Sequence, residues 1–253
     1  MLKQLQQPLE SDHAVVCLRP RGRPAGLMLK HFINPARISP IIDIDYLVDV
    51  VLQEKVPLDQ EAVITSATDL VVFLTNAATG EGERFRARNR TAPLMELFRA
   101  TAALPVVFGR EIEINGQRYC DGGLFDQVPL KEAIDDGFTN ILVILTRPLS
   151  HTVKPTSFLS RWFARTAARL AGHSPGVIRL LGSDRERMKR VMAVVSGKVT
   201  DLPANVWVIA PPDDAVLATR LTNSRELLEE TASEARVDTL AALERGPVAR
   251  ARA

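Results

Sequence analysis

The sequence has few of the residues that build metal centres or covalent frameworks. It contains two cysteines, Cys17 and Cys120, and four histidines that are scattered along the chain. Two distant cysteines do not form a disulfide framework, and no Cys/His spacing matches the pattern of a zinc site. We therefore expect neither a structural metal nor a cofactor.

Long apolar runs and an excess of charge of one sign are also absent. No stretch of about 18 consecutive apolar residues exists, and residues 1–10 contain no apolar core of a secretory signal. The formal net charge is only +2, so the composition makes no electrostatic case for a nucleic-acid partner. We expect a cytoplasmic protein, with any membrane contact peripheral.

What the sequence does have is enough apolar residues for a sizeable core. The chain has 253 residues, of which 46% are hydrophobic. Residues 1–25 show neither a helical nor a strand period and include the segment LRPRGRPAG, so we expect a poorly ordered tail there. Residues 26–253 are expected to form one partial domain with a helical C-terminal extension.

Beyond the tail, helical and strand patterns alternate, which indicates an α/β layered fold. Hairpin turns are predicted at Thr79–Gly82 and at Asn115-Gly116. NILVILTRP, starting at Asn140, is typical of a strand buried on both faces, and NVWVIAP is predicted as a further strand. Helices are predicted from Asp45, over 57–67, over 92–103 and ended by Pro105, from Pro129 to Gly137, over 157–171, from Ser183 to about Val195, and from Arg225 to about Leu243.

Two further predictions concern single residues. Asp45 is placed to cap the first helix, whose apolar face is predicted to carry Leu47, Val50 and Val51. Cys120 is predicted to be a small buried apolar residue and not a reactive thiol.

The candidate for chemistry is Asp121, followed directly by Gly122 and Gly123. The Asn115-Gly116 hairpin delivers this aspartate at its end, and the glycines let another backbone or a substrate approach the carboxylate closely. Such an aspartate could orient a nucleophile or act as its base. The alternative is that the tripeptide is only a turn, since Asp and Gly are common in turns.

The context of this tripeptide resembles the patatin-like phospholipase family, in its bacterial form. The order A-[ST]-x-A-x-P, strand, hairpin, D-G-[GA], proline-opened helix and buried strand is similar, with Ala100–Pro105 as the first element. The likeness extends from about Asn34 to Arg225. It implies a patatin-like layered fold and a lipid acyl hydrolase that uses a serine/aspartate dyad on lipid or phospholipid, with Asp121 as the dyad base.

The resemblance also predicts two motifs upstream of the aspartate that this chain does not show. The family's oxyanion loop, G-G-G-x-[KR]-G, and its nucleophile elbow, G-x-S-x-G, both precede the aspartate. The upstream serines here, Ser11, Ser39 and Ser66, are not flanked by the required glycines. We therefore expect a C-terminal portion with an incomplete sheet that is inactive by itself, either a shortened or mis-started gene product or a non-catalytic remnant that binds lipid or membrane surfaces.

One string later in the chain does match the elbow pattern: Gly172-His173-Ser174-Pro175-Gly176. An elbow requires a buried strand before the serine, whereas an arginine-rich helix precedes this string, so a turn between helices is predicted. An independent hydrolase that uses Ser174 with His173 or Asp121 is the alternative.

The helix predicted over 157–171 has two distinct sides. Arginines at 161, 165 and 169 form one side, and the other carries Phe158, Leu159, Trp162, Phe163 and Leu170. This pattern suits either a helix that rests on anionic lipid or one that packs its apolar side on the domain with its arginines solvated.

Overall fold

The computed structural model describes residues 44–105, 109–150, 157–181, 191–199, 201–213, 215, 224–244 and 250–251. The tail predicted at 1–25 lies outside the described residues. So does the start of the helix predicted from Ser183 to about Val195, of which residues 191–195 are described and are helical.

Helices and strands alternate along the described chain. A π-helix, Tyr46–Lys55, comes first. The α-helices are α1 Gln60–Thr65, α2 Leu94–Ala102, α3 Leu130–Asp135, α4 Phe158–Leu170, α5 Pro175–Leu180 and α6 Arg225–Glu244. The strands are β1 Val71–Asn76, β2 Gly82–Arg86, β3 Ile112–Ile114, β4 Gln117–Asp121, β5 Asn140–Ile144, β6 Asp201–Leu202, β7 Asn205–Ile209 and β8 Arg250–Ala251.

The largest sheet has the strand order β2-β1-β4-β3. Every pairing in it is antiparallel, and Leu74 of β1 lies opposite Asp121 of β4. One face of the sheet packs on α2, on the π-helix and on the residues that flank them. The strands and these helical segments together form the main core: Ile44, Val48, Val72, Leu74, Met95, Leu97, Ala100, Ala103, Ile112, Ile114 and Tyr119.

Local turn signals decide several of these element boundaries, and those at Asn115-Gly116 and Gly137 are as predicted. Asn115 and Gly116 both adopt positive φ (54° and 75°), the geometry that a two-residue hairpin turn requires. Gly137 ends α3 with a φ of 86°. The side chain of Asp59 caps α1 by accepting a hydrogen bond from the Ala62 N–H at 2.9 Å.

The first helix differs from its prediction in cap and face. Asp45 makes no side-chain cap hydrogen bond; its carboxylate pairs with the buried guanidinium of Arg99. The apolar face is Ile44, Val48 and Leu52 rather than Leu47, Val50 and Val51. The cause is the wider turn, in which the Val56 N–H bonds the Val51 carbonyl five residues back and lengthens the repeat.

The prediction that β5 is buried on both faces is wrong. β5 pairs with β7 in a separate two-stranded parallel sheet. Only Val143 of β5 is buried, and Leu142 and Ile144 are exposed. The apolar run anticipates cover on two faces, but within the described residues one face remains open.

The packing interpretation of the 157–171 helix is also wrong. In α4 the apolar side chains Phe158, Leu159, Trp162, Phe163 and Leu170 are all exposed, whereas Ala168 is buried. The helix therefore packs the side that carries Ala168 on the domain and turns its large apolar side outward.

The mixed α/β architecture is confirmed, with helices set against small sheets. Across the portion of the chain that the structure describes, no helix combines the length and apolar character that a membrane crossing requires.

Candidate active site around Asp121

Asp121 ends the inner strand β4, and backbone hydrogen bonds hold it from two sides. Its N–H donates to the Ala103 carbonyl at 3.1 Å. Its carbonyl accepts a hydrogen bond from the Thr75 hydroxyl at 2.8 Å. The backbone of Asp121 is therefore fixed between β1 and the end of α2, so its side chain starts from a fixed position.

The glycines after Asp121 permit a close approach of backbones. A Cβ on Gly122 would lie 2.1 Å from the Phe73 carbonyl oxygen, so this position accepts no side chain. The Gly123 N–H donates to Oδ1 of Asp121 at 2.8 Å and orients the carboxylate. The side chain is half-buried, so solvent or a ligand reaches it.

The structure brings the two distant elements of the family-like pattern into contact. Ala103 lies in the Ala100–Pro105 segment and accepts the Asp121 N–H. Thr101 of the same segment donates its hydroxyl to the Phe73 carbonyl at 3.4 Å. Both elements therefore meet on the same part of β1.

The hydroxyls of the neighbouring threonines, Thr75 and Thr101, form hydrogen bonds with backbone groups. Thr75 donates to the Asp121 carbonyl and accepts from the Phe125 N–H at 3.2 Å. Thr101 donates to the Phe73 carbonyl. These hydrogen bonds position the strand end, and neither hydroxyl is presented to the Asp121 carboxylate as a nucleophile.

Ser174 has another carboxylate partner, Glu111, which sequence reasoning missed. The Ser174 hydroxyl donates to Oε2 of Glu111 at 2.7 Å, and its N–H donates to Oε1 at 2.6 Å. His173 Nδ1 lies 3.4 Å from Oε1, and Arg118 Nη1 lies 3.5 Å from Oε2. Nothing in the local sequence signals this cluster, because 63 residues separate Glu111 from Ser174.

The Glu111 side chain is buried together with His173 and Ser174. Burial acts to raise the pKa of the Glu111 carboxyl, but the hydrogen bonds from His173 and Ser174 and the charge of Arg118 lower it below its ordinary value. The carboxylate therefore stays ionised in the interior and holds the turn between α4 and α5 against the β3–β4 hairpin.

Asp121 and Glu111 serve opposite faces of the main sheet. Ile112 lies opposite Tyr119, so Glu111 lies opposite Cys120, the neighbour of Asp121. Successive side chains of a strand point to opposite faces. Asp121 thus shares the face of Tyr119 and α2, while Glu111 and Ser174 lie on the face of Cys120 and α5.

This geometry does not bring Ser174 and Asp121 together as a dyad. Ser174 also has ordinary extended backbone angles (φ −67°, ψ 154°), without the strain of a nucleophile elbow, and its hydroxyl is directed at Glu111 and not at His173. Gly172 follows α4 with a φ of 78°, and Pro175 opens α5. The string forms the turn between helices that the sequence predicts.

Cys120 is fully buried beside Ala77 and Val177, as predicted. Burial, with the nearby Glu111 and Asp121 charges, raises the pKa of its thiol to about 12. The thiol therefore remains protonated and takes no part in nucleophilic chemistry.

A cleft of about 620 Å³ opens beside the main core. Charged side chains line it, including Asp45, Asp49, Arg99 and Arg110, and this polar lining does not suit an acyl chain. Among the described residues, no group of three or more His, Cys, Asp or Glu side chains is arranged to hold a metal ion.

Comparison with known proteins shows which family and which protein the sequence is similar to. A family model described as patatin-like phospholipase matches residues 3–134, just over half of the chain. The match includes Asp121 and the Ala100–Pro105 segment; it starts earlier than the expected Asn34 and stops well before Arg225.

A curated relative is the uncharacterized protein YjjU of Escherichia coli (strain K12). It is 27% identical over 142 residues, which make up 53% of this chain and 39% of YjjU. The chain thus spans about two fifths of the length of this relative.

Proposed function

The chain belongs to the patatin-like phospholipase family, and on that premise we propose that it is part of a lipid acyl hydrolase whose serine/aspartate dyad uses Asp121 as the base. The Asp121 carboxylate accepts the proton of a serine hydroxyl while that hydroxyl attacks the ester carbonyl carbon of a lipid or phospholipid. Backbone N–H groups of a glycine-rich loop stabilise the resulting oxyanion.

The observation that carries this proposal is the way Asp121 is held. Its backbone is bonded on both sides, to Ala103 and Thr75, and the Gly123 N–H orients its carboxylate. A base must be oriented before the reaction if it is to accept a proton efficiently. The half-exposed carboxylate meets this requirement and remains within reach of a substrate.

We also propose that residues 1–253 by themselves do not hydrolyse lipid esters. The glycine-flanked serine and the oxyanion loop are not recognisable upstream of Asp121. The exposed apolar residues of β5, Leu142 and Ile144, support an incomplete sheet, because a further layer of chain would cover them.

The DNA upstream of Met1, read in all frames, tests the origin of the missing motifs. A coding segment with G-x-S-x-G supports a longer active product, and its absence contradicts that part of the proposal. If the segment exists, the longer protein is assayed with a short-chain p-nitrophenyl ester. Asp121→Asn should lower kcat by about 100-fold or more.

The control for that variant is Asp126→Asn, five residues along the chain. Asp126 accepts a hydrogen bond from the Val128 N–H at 3.0 Å in a local turn. Its substitution introduces the same chemical change near the site and should leave kcat within about twofold of the unmodified protein. Equal losses in both variants would remove the base assignment from Asp121.

A second candidate function is lipid-surface binding without hydrolysis. The observation that favours it is the exposed apolar side of α4. Purified chain that sediments with vesicles but hydrolyses no ester would support this function. Ester hydrolysis by residues 1–253 would contradict it and would also contradict the proposed inactivity.

The expected location accords with both candidate functions. We propose a cytoplasmic protein that contacts membrane only at its surface, with lipid and not nucleic acid as its partner. The near-balance of acidic and basic residues supports the exclusion of nucleic acid.

A further inference from the structure

The side of α4 that points away from the domain carries five large apolar side chains, which we term the docking face: Phe158, Leu159, Trp162, Phe163 and Leu170. Phe158 is 76% exposed, Leu170 is 68% exposed, and even the bulky Trp162 is 52% exposed. Trp162 and Phe163 pack edge-to-face on each other with ring centroids 5.1 Å apart. Large apolar side chains exposed together on one side of a helix mark an interaction site on a folded protein.

The orientation of α4 is set by specific contacts on its other side. Arg165 donates from Nε to the Leu181 carbonyl at 3.3 Å and from Nη2 to the Arg179 carbonyl at 3.1 Å. Ala168 on the same side is fully buried. Because the arginine satisfies carbonyls at the end of α5, rotating α4 to bury its aromatics would break these bonds.

α5 is in turn attached to the sheet that carries Asp121. A Cβ on Gly176 would lie 2.3 Å from the Gly80 nitrogen, so α5 and the β1–β2 turn are in direct backbone contact. Glu111 holds Ser174 at the start of α5. The docking face therefore has a defined position relative to Asp121.

The charges of α4 identify the occupant. The helix contains Arg161, Arg165 and Arg169 and has no acidic residue between Phe158 and Leu170. Arg161 and Arg169 are exposed beside the docking face. Aromatics that insert at the level of lipid headgroups, with arginines beside them, are typical of a helix that lies on an anionic membrane.

We propose that the docking face of α4 binds the surface of anionic membranes, with Trp162 inserted among the lipid headgroups. The choice of lipid as the occupant rests on the proposed function, but binding does not require catalysis. Docking would hold the sheet that carries Asp121 at a membrane surface, next to the ester substrates of the family.

Vesicle sedimentation tests the proposal on the full chain. Vesicles of phosphatidylcholine with about one third phosphatidylglycerol are compared with vesicles of phosphatidylcholine alone. We expect binding to the anionic vesicles that weakens with added salt, because exposed arginines attract the lipid charge. The double variant Trp162→Ser/Phe163→Ser should lower the partition coefficient about tenfold or more.

The matched control is Val237→Ser/Leu240→Ser on α6. These apolar residues are about as exposed as those of α4, but α6 is rich in glutamate. The control should bind vesicles like the unmodified chain. Equal loss in both double variants, or unchanged binding of the Trp162/Phe163 variant, would overturn the proposal.

Tryptophan emission gives a second readout that does not depend on the folding of the double variant. The emission of the unmodified chain should shift to the blue on anionic vesicles, and that of Trp162→Phe, which retains Trp207, should not. A shift that persists in Trp162→Phe contradicts insertion of Trp162. Self-association without vesicle binding assigns the docking face to a second copy of the chain and also contradicts the proposal.

Failure of this inference and failure of the proposed function are distinguishable. Loss of vesicle binding with a short soluble ester still hydrolysed by the longer protein removes docking alone. Vesicle binding without any ester hydrolysis by that longer protein removes the enzymatic function alone.

Discussion

Gly122→Ala offers a direct test of how the strand that carries Asp121 is held. The added Cβ would lie 2.1 Å from the Phe73 carbonyl oxygen, and an ordinary C···O contact is about 3.3 Å, so the two groups must separate by about 1 Å. Phe73 is next to Leu74, which pairs with Asp121, so the separation disturbs the β1–β4 pairing.

The expected cost follows from the kind of atom in the way. A backbone carbonyl within a sheet does not swing aside as a flexible side chain does, so the substitution should destabilise the chain by about 3 kcal/mol, the upper part of the overpacking range. For a chain of this size that loss lowers the melting temperature by about 6–12 °C. Gly122 does not have positive φ, so the cost is steric and not conformational.

The assay is thermal unfolding followed by circular dichroism, with Gly123→Ala as the control. A Cβ on Gly123 would lie 3.1 Å from Oδ1 of Asp121, a side-chain atom that can shift by a few tenths of an ångström. This control should therefore melt within about 2 °C of the unmodified chain. If Gly122→Ala also melts within 2 °C, the close approach of Gly122 to Phe73 is refuted.

Three further predictions concern buried charged and thiol groups. The pKa of Glu111 is lowered in the folded chain, so its stabilising effect is complete above its ordinary pKa of about 4.5 and is lost as the pH falls below that value. Glu111→Gln should lower the free energy of unfolding, measured by urea titration, by about 2 kcal/mol at pH 7. The difference in this free energy between the variant and the unmodified chain should shrink below pH 4.5. A difference that stays constant with pH would contradict the role of the Glu111 carboxylate. In a Cys17→Ser background, Cys120 should react with a thiol reagent only on unfolding, and rapid labelling of the native chain would contradict its burial. Arg99→Met removes a buried guanidinium and should lower the free energy of unfolding by about 2 kcal/mol. Arg90→Met breaks an exposed ion pair with Glu61 and should lower it by less than about 1 kcal/mol. Equal urea midpoints for the two variants would contradict this prediction.

The elements that the sequence predicts well are those decided by neighbouring residues. Asn115-Gly116 forms the hairpin turn because both residues tolerate positive φ. Gly137 ends α3, as predicted, because it has the conformational freedom for a positive φ. The family was also predicted from a short segment around Asp121, and the family match over residues 3–134 confirms this prediction.

The candidate site was predictable only in part. Asp121 stands out because the residues that orient it, Gly122 and Gly123, follow it directly. Glu111 does not, since its role depends on Ser174, which lies 63 positions further along the chain. The turn around Ser174 was predicted, but the carboxylate that its hydroxyl contacts was not, because the sheet face against which this turn packs depends on strand pairing.

The sequence by itself determined the hairpin turns and the family of this protein, because each depends on residues close together along the chain. Only the tertiary structure decided which faces are covered. An apolar pattern states that β5 and α4 can bury a surface, but the exposure of Ile144 and of Trp162 depends on what else packs there. In α4 the hydrogen bonds of Arg165 to the end of α5 fix which side of the helix faces the domain, and the apolar pattern alone does not reveal these contacts.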